Sequence, residues 1–172
     1  MKLAQIREKV AYVEQPKNDL KSAGRIWAQG QFKGTIALTL TLKQSFRVVT
    51  NSGTYIKRLD RDECQKIAGR FKKKLNQLVY GNAPKRHHKS LQFLPSVEGG
   101  AGGLNLHLHM AIGDFPPHIK FNEIQNLIIK AKNKIDEINK EYMVEICDSG
   151  WSEYVVKKIG KNNTDSILWE LA

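Results

Sequence analysis

The residues with the plainest chemical potential are two histidines in Leu104-Asn-Leu-His-Leu-His-Met-Ala-Ile112. On a strand, successive side chains point to opposite faces, so residues two apart share one. His107 and His109 therefore project to the same side, close enough to share one ion, while Leu106, Leu108 and Met110 point into a core. Neutral imidazole ligates Mn²⁺, Zn²⁺ and related ions. Glu98 becomes a third donor if Gly99-Gly-Ala-Gly-Gly103 joins its strand to the histidine strand as a hairpin. Such a set of oxygen and nitrogen suits Mn²⁺ or Mg²⁺ better than structural zinc, which takes four closed ligands. A His-x-His pair also occurs by chance on solvated strands. The apolar flanks, the glycine turn and the nearby carboxylate favour the metal.

A second candidate is Tyr154 in Trp151-Ser-Glu-Tyr-Val-Val-Lys-Lys158. On a helix, Tyr154 and Lys157 lie three apart on one face. A tyrosine hydroxyl can attack a phosphodiester to give a covalent phosphotyrosine. A neighbouring cation stabilises charge on the phosphate or eases loss of the phenol proton. Alone the pair is weak, because tyrosines on amphipathic helices usually cover the edge of a core. Tyr142 is a rival nucleophile, though its alternating surroundings suit packing.

The elements that must carry these residues follow from periodicity. Ile36, Leu38, Leu40 and Leu42 alternate with Thr35, Ala37, Thr39 and Thr41, the pattern of a half-buried strand. A turn at Asn51-Ser-Gly53 is followed by a helix from about Arg61 to Val79, with Ile67, Phe71, Leu75 and Leu78 at helical spacing. Ser90 to Glu98 and Leu104 to Ile112 read as strands. A second helix is expected from Phe121 to Asn139, a short strand from Tyr142 to Asp148, and a last helix from Ser149 to Ile159. The expected order is β-α-β-β-α-β-α, an α+β fold with a ferredoxin- or RRM-like antiparallel sheet and flanking helices. Residues 1–34, broken by Pro16, Gly24, Gly30 and Gly34, read as a weakly structured arm ahead of a domain spanning 35–172.

Lys and Arg total 28 against 17 acidic residues, a formal charge of +11. Such an excess gathers polyanions by releasing their counterions, so nucleic acid is the natural partner. Arg70-Phe-Lys-Lys-Lys74 and Lys85-Arg-His-His-Lys89 suit phosphate contacts or a solvated face equally. Trp27, Phe32 and Trp151 are candidates to stack on a base. Cys64 and Cys147 have no metal-site spacing and fit a reducing cytosol. With no apolar leader in Met1–Val10 and no long apolar run, the expectation is a cytoplasmic protein without a membrane segment.

In chain order these pieces resemble the HUH endonuclease superfamily, specifically rolling-circle replication initiators of small plasmids and phages. Ala37-Leu-Thr-Leu-Thr41 is similar to the family's first strand. Glu98-Gly-Gly-Ala-Gly-Gly-Leu-Asn-Leu-His-Leu-His109 is similar to its His-hydrophobic-His segment, and Tyr154-Val-Val-Lys157 to its catalytic helix. The resemblance spans residues 35 to 160. It implies a five-stranded antiparallel sheet, metal ligation by Glu98, His107 and His109, Tyr154 as nucleophile and Lys157 as its helper. It further implies nicking and rejoining of single-stranded DNA at an origin hairpin, through a 5′-phosphotyrosine and a free 3′-OH. A single tyrosine on the catalytic helix implies a single-tyrosine mechanism. No G-x-x-x-x-G-K-[ST] loop is present, so unwinding would fall to a host helicase. Three alternatives stay open. One is a transposase, one a relaxase with His118 as a third histidine, and one a non-catalytic module that binds single-stranded nucleic acid.

Overall fold

The computed structural model describes residues 36–82, 89–100, 104–147 and 166–172. In chain order the elements are β1 (Ile36–Leu42), β2 (Ser45–Thr50), β3 (Gly53–Arg58), α1 (Arg61–Tyr80), β4 (Gln92–Glu98), β5 (His107–Gly113), α2 (Phe121–Lys132) and β6 (Ile138–Ile146). A 3₁₀ turn at Trp169–Leu171 completes them. The fold is α+β. Four strands make an antiparallel sheet in the order β4-β5-β1-β6, which is compatible with a ferredoxin-like arrangement. β2 and β3 form a separate two-stranded ribbon.

Alternation builds the core. Ile36, Leu38, Leu40 and Leu42 of β1, Phe93 and Val97 of β4, and Leu108, Met110 and Ile112 of β5 join one buried cluster. α1 contributes Cys64, Ile67, Ala68, Phe71 and Leu75, spaced three and four apart as one helical face requires. α2 adds Ile124, Ile128 and Ala131. Both helices thus cover the sheet face of the even-numbered β1 residues. Asp60 caps α1 by accepting from the Glu63 amide at 2.8 Å. Gly81 closes the helix at φ +58°, its amide donating to Gln77 O.

Four expectations change. Among the described residues the main sheet has four strands, not the five that the resemblance implies. The chain inserts the β2–β3 ribbon between β1 and α1, where the sequence suggests only a turn. Phe46, Val48 and Lys57 are half-buried at best, so the alternation that marks a core strand is muted. α2 ends at Lys132 rather than Asn139. Ile135 and Ile138 keep the helical spacing and are buried, but Ile135 lies in a turn and Ile138 opens β6. There Lys134 N donates to Ala131 O and Ile135 N to Lys132 O. The final strand consequently begins at Ile138, not Tyr142.

The C-terminal residues lie along the outer edge of β4. Val97 N donates to Ser166 O at 2.8 Å and Leu168 N to Pro95 O at 2.9 Å, with Ser96 bridged to Ile167. Pro95 lacks its N–H on that same edge, where an edge strand tolerates the loss. The expected helix over 149–159, with Tyr154 and Lys157, lies outside the described residues, as does the arm over 1–34. Among the described residues no helix is long and apolar enough to cross a membrane.

Candidate metal centre

Strand register assembles the site. β5 lies between β4 and β1, so each histidine has a neighbour on both sides. His107 stands opposite Glu98 on β4 and Thr41 on β1; His109 stands opposite Ser96 and Thr39. All six side chains therefore share the sheet face turned away from α1 and α2. Glu98 Oε2 is 3.7 Å from His109 Nε2 and 4.0 Å from His107 Nε2. The imidazole centroids are 4.8 Å apart, nearly perpendicular at 79°. Glu98 and His109 are buried, and His107 is half-exposed, so the cluster opens on the His107 side.

The glycine turn sets where Glu98 ends up. Gly99 adopts φ +99°, and a Cβ there would meet Asn105 O at 2.2 Å, so any side chain would displace the backbone leading to His107. Gly100 N then donates to Leu104 O at 2.7 Å. From the other side, Gln44 clamps the same segment. Its Oε1 accepts from Leu106 N at 2.9 Å, and its Nε2 donates to Leu106 O at 3.0 Å and Leu42 O at 2.7 Å. His107 is thus reached by a backbone pinned on two sides.

Hydrogen bonds at Nδ1 decide which ring nitrogens face the carboxylate as lone pairs. His107 Nδ1 lies 3.0 Å from Asn105 O, a carbonyl that can only accept. Nδ1 must carry the proton, so in the neutral ring Nε2 is the basic nitrogen. His109 Nδ1 lies 2.9 Å from Thr39 Oγ1, which can accept its proton in the same way. Both Nε2 atoms then point at Glu98. Orientation of ligating imidazoles through the far nitrogen is the usual outer arrangement of a metal site.

Glu98, His107 and His109 could hold a metal ion, their donor atoms all lying within 4.8 Å of one another. An ion with bonds near ~2.1 Å separates adjacent donors by about 3.0–3.4 Å. From 3.7 and 4.0 Å the two Glu98–His pairs need close by up to about 1 Å, and the widest donor pair, within 4.8 Å, by about 1.5 Å. Ser96 Oγ, buried in the row of His109, makes no hydrogen bond among the described residues.

The other sequence candidates separate clearly. Tyr142 pairs with Leu40, so its side chain is on the helix-covered face, with Lys132 Nζ 5.0 Å from its ring centre. It cannot act on a phosphate at the cluster. His118 follows the Gly113 end of β5, a full strand of roughly 20 Å from His107. Cys64 is buried in the core and its thiol is pushed up to about 12 by burial, which makes it neither ligand nor nucleophile. Gln44 and Ser96 carry no sequence signal of their own: only the register brings them to the site. Thr39 and Thr41 are visible in the sequence merely as the polar side of a strand.

Comparison of the chain with family models, with curated proteins and with solved structures finds no match.

Proposed function

We propose that this chain is a divalent-metal-dependent nuclease of the HUH type that nicks and rejoins single-stranded DNA through Tyr154. The observation that carries the reading is the Glu98–His107–His109 cluster, with both Nε2 atoms turned to one carboxylate on the sheet face away from α1 and α2 and exposed on the His107 side. The donor set favours Mn²⁺ or Mg²⁺. When bound, such an ion supplies positive charge to the scissile phosphate and orients it for in-line displacement.

The chain's own groups then divide the work. Asn105 O holds His107 in the tautomer with a basic Nε2, and Thr39 Oγ1 orients the His109 ring from its Nδ1 side. Tyr154 Oη forms the bond to phosphorus as the P–O3′ bond breaks. The phenol proton is lost to solvent or a base, and the departing 3′ oxygen takes up a proton. Lys157, three residues on, offsets the charge that develops. The free 3′-OH is the primer, and reversal of the same step rejoins ends. The +11 charge supports an anionic polymer as substrate. The single-stranded region of an origin hairpin is the proposed target, with unwinding left to a host helicase. The place of His118, beyond the far end of β5, disfavours a three-histidine relaxase site.

The test is incubation with labelled single-stranded hairpin oligonucleotides in Mn²⁺ or EDTA, resolved on denaturing gels. A Mn²⁺-dependent protein–DNA adduct is expected, lost in Tyr154→Phe with DNA binding retained and lost in His107→Ala together with metal binding. Binding without adduct or cut on any hairpin would make the chain a non-catalytic binding module. Unchanged nicking by His107→Ala would remove the metal from the reaction.

A further inference from the structure

The β2–β3 ribbon has no part in the cluster, yet its composition is directed. Between Ser45 and Arg58 it carries Arg47, Lys57 and Arg58 and no acidic residue. Register divides it into two faces. Phe46, Val48, Tyr55 and Lys57 lie on the inner face, where Phe46 and Val48 border a cleft with Lys66, Arg70 and Lys73 of α1. Lys57 is engaged there by Glu63 at 2.6 Å. Ser45, Arg47, Val49, Thr54, Ile56 and Arg58 make the outer face, and every one of them is exposed. Neither Arg47 nor Arg58 has an ion-pair partner among the described residues. Val49 and Ile56, diagonal neighbours, are 75% and 67% exposed.

We propose that this outer face docks in the major groove of B-form duplex DNA. Shape permits it: a two-stranded ribbon fits a groove about 12 Å wide, and six-residue strands run about 20 Å along it. Chemistry specifies it. Arginine reads guanine through two hydrogen bonds, Ser and Thr serve any base edge or phosphate, and branched aliphatic side chains meet the thymine methyl. Single strands are usually held on aromatic platforms, and this face has no aromatic residue, both Phe46 and Tyr55 being on the inner one. The deep, narrow major groove of duplex RNA does not admit such a ribbon. The ribbon leaves the sheet two residues beyond Leu42, whose neighbour Thr41 is paired with His107. A duplex seated on it lies at the same end of the sheet as the metal cluster.

The inference uses no cleavage chemistry, and its test runs in EDTA, so its failure leaves the nuclease reading standing and the reverse. Duplexes of about 20 base pairs, two helical turns, are selected from a randomised pool on the full chain. Affinity is then read by fluorescence anisotropy at fixed salt. Arg47→Ala/Arg58→Ala should weaken the selected duplex at least about 30-fold, with circular dichroism and melting temperature unchanged. Arg47→Lys/Arg58→Lys keeps the charge and loses the paired hydrogen bonds, and should still weaken it about fivefold or more. Lys120→Ala/Lys130→Ala, an equal charge loss at the N-cap and last turn of α2, should stay within about threefold. Three results would overturn the proposal: equal weakening by the ribbon and α2 variants, equal affinity for duplex RNA of the same sequence, or selection that yields no sequence preference.

Discussion

Thr39 contacts no substrate in the proposed reaction, yet its hydroxyl, 2.9 Å from Nδ1, orients the His109 ring and offers an acceptor for the proton there. Replacing it with valine keeps the shape and the strand preference and removes only the oxygen beside Nδ1. Thr39→Val should weaken Mn²⁺ binding about 10-fold, measured by titration calorimetry, with the fold intact. An unchanged affinity would mean that the tautomer is not set from Nδ1. The candidate ligands are legible in the sequence because period-two spacing alone puts His107 and His109 on one side, and the glycine run invites a hairpin that returns Glu98 to them. Thr39, Ser96 and Gln44 are not legible. Their roles come from pairing across strands separated by as many as 70 positions, which no local pattern encodes.

At the level of elements, α1 shows how an ionic arrangement sits on top of an apolar one. Ile67, Phe71 and Leu75 of its buried stripe are readable from helical spacing, whereas Leu78, at the same spacing, is exposed. Glu63 is not readable, because its partners come from β3 as well as from its own helix. Lys57 at 2.6 Å and then Lys66 at 2.8 Å hold the Glu63 carboxyl below its ordinary range. A carboxyl depressed in the folded state contributes stability above its unfolded pKa, about 4.3, and loses it as the pH falls through the folded value. Glu63→Gln should therefore melt earlier than the parent at neutral pH. The gap should close as the pH drops below about 4, as thermal melts across pH will show. A gap that persists in acid would assign the effect to packing. The ribbon escaped the sequence for a related reason: with one face in solvent and the other half-covered, its residues lack the contrast that makes β1 obvious.

Taken as a whole molecule, the sheet has two edges that differ. β4 is covered by Ser166–Leu168, and the same tail is tied to α1 where Lys72 Nζ donates to Leu171 O at 2.6 Å. Ile167 and Leu168 are both buried. Removing residues 166–172 would strip that apolar cover and bare the amides of an edge strand, which pair readily with another copy. The truncated chain should melt about 5–10 °C lower and self-associate in light scattering. A monomer of unchanged stability would show the tail to be dispensable. The antiparallel α+β plan was readable from the order of strands and helices. The tail's seat was not, since three residues pairing with a strand about 70 positions earlier leave no periodic trace.

The root of the ribbon has its own consequence. Leu59 N donates to Gln44 O at 2.8 Å, so the chain leaves β1 and comes back to α1 at one clasp. To the sheet, the fourteen residues between are a pendant; the route from β1 to α1 is already closed without them. Inheritance can lengthen, shorten or rewrite such a pendant while the histidines beside its root stay in place. On the readings proposed above, such a plan keeps recognition on the pendant and chemistry on the sheet, and the two are free to diverge at different rates.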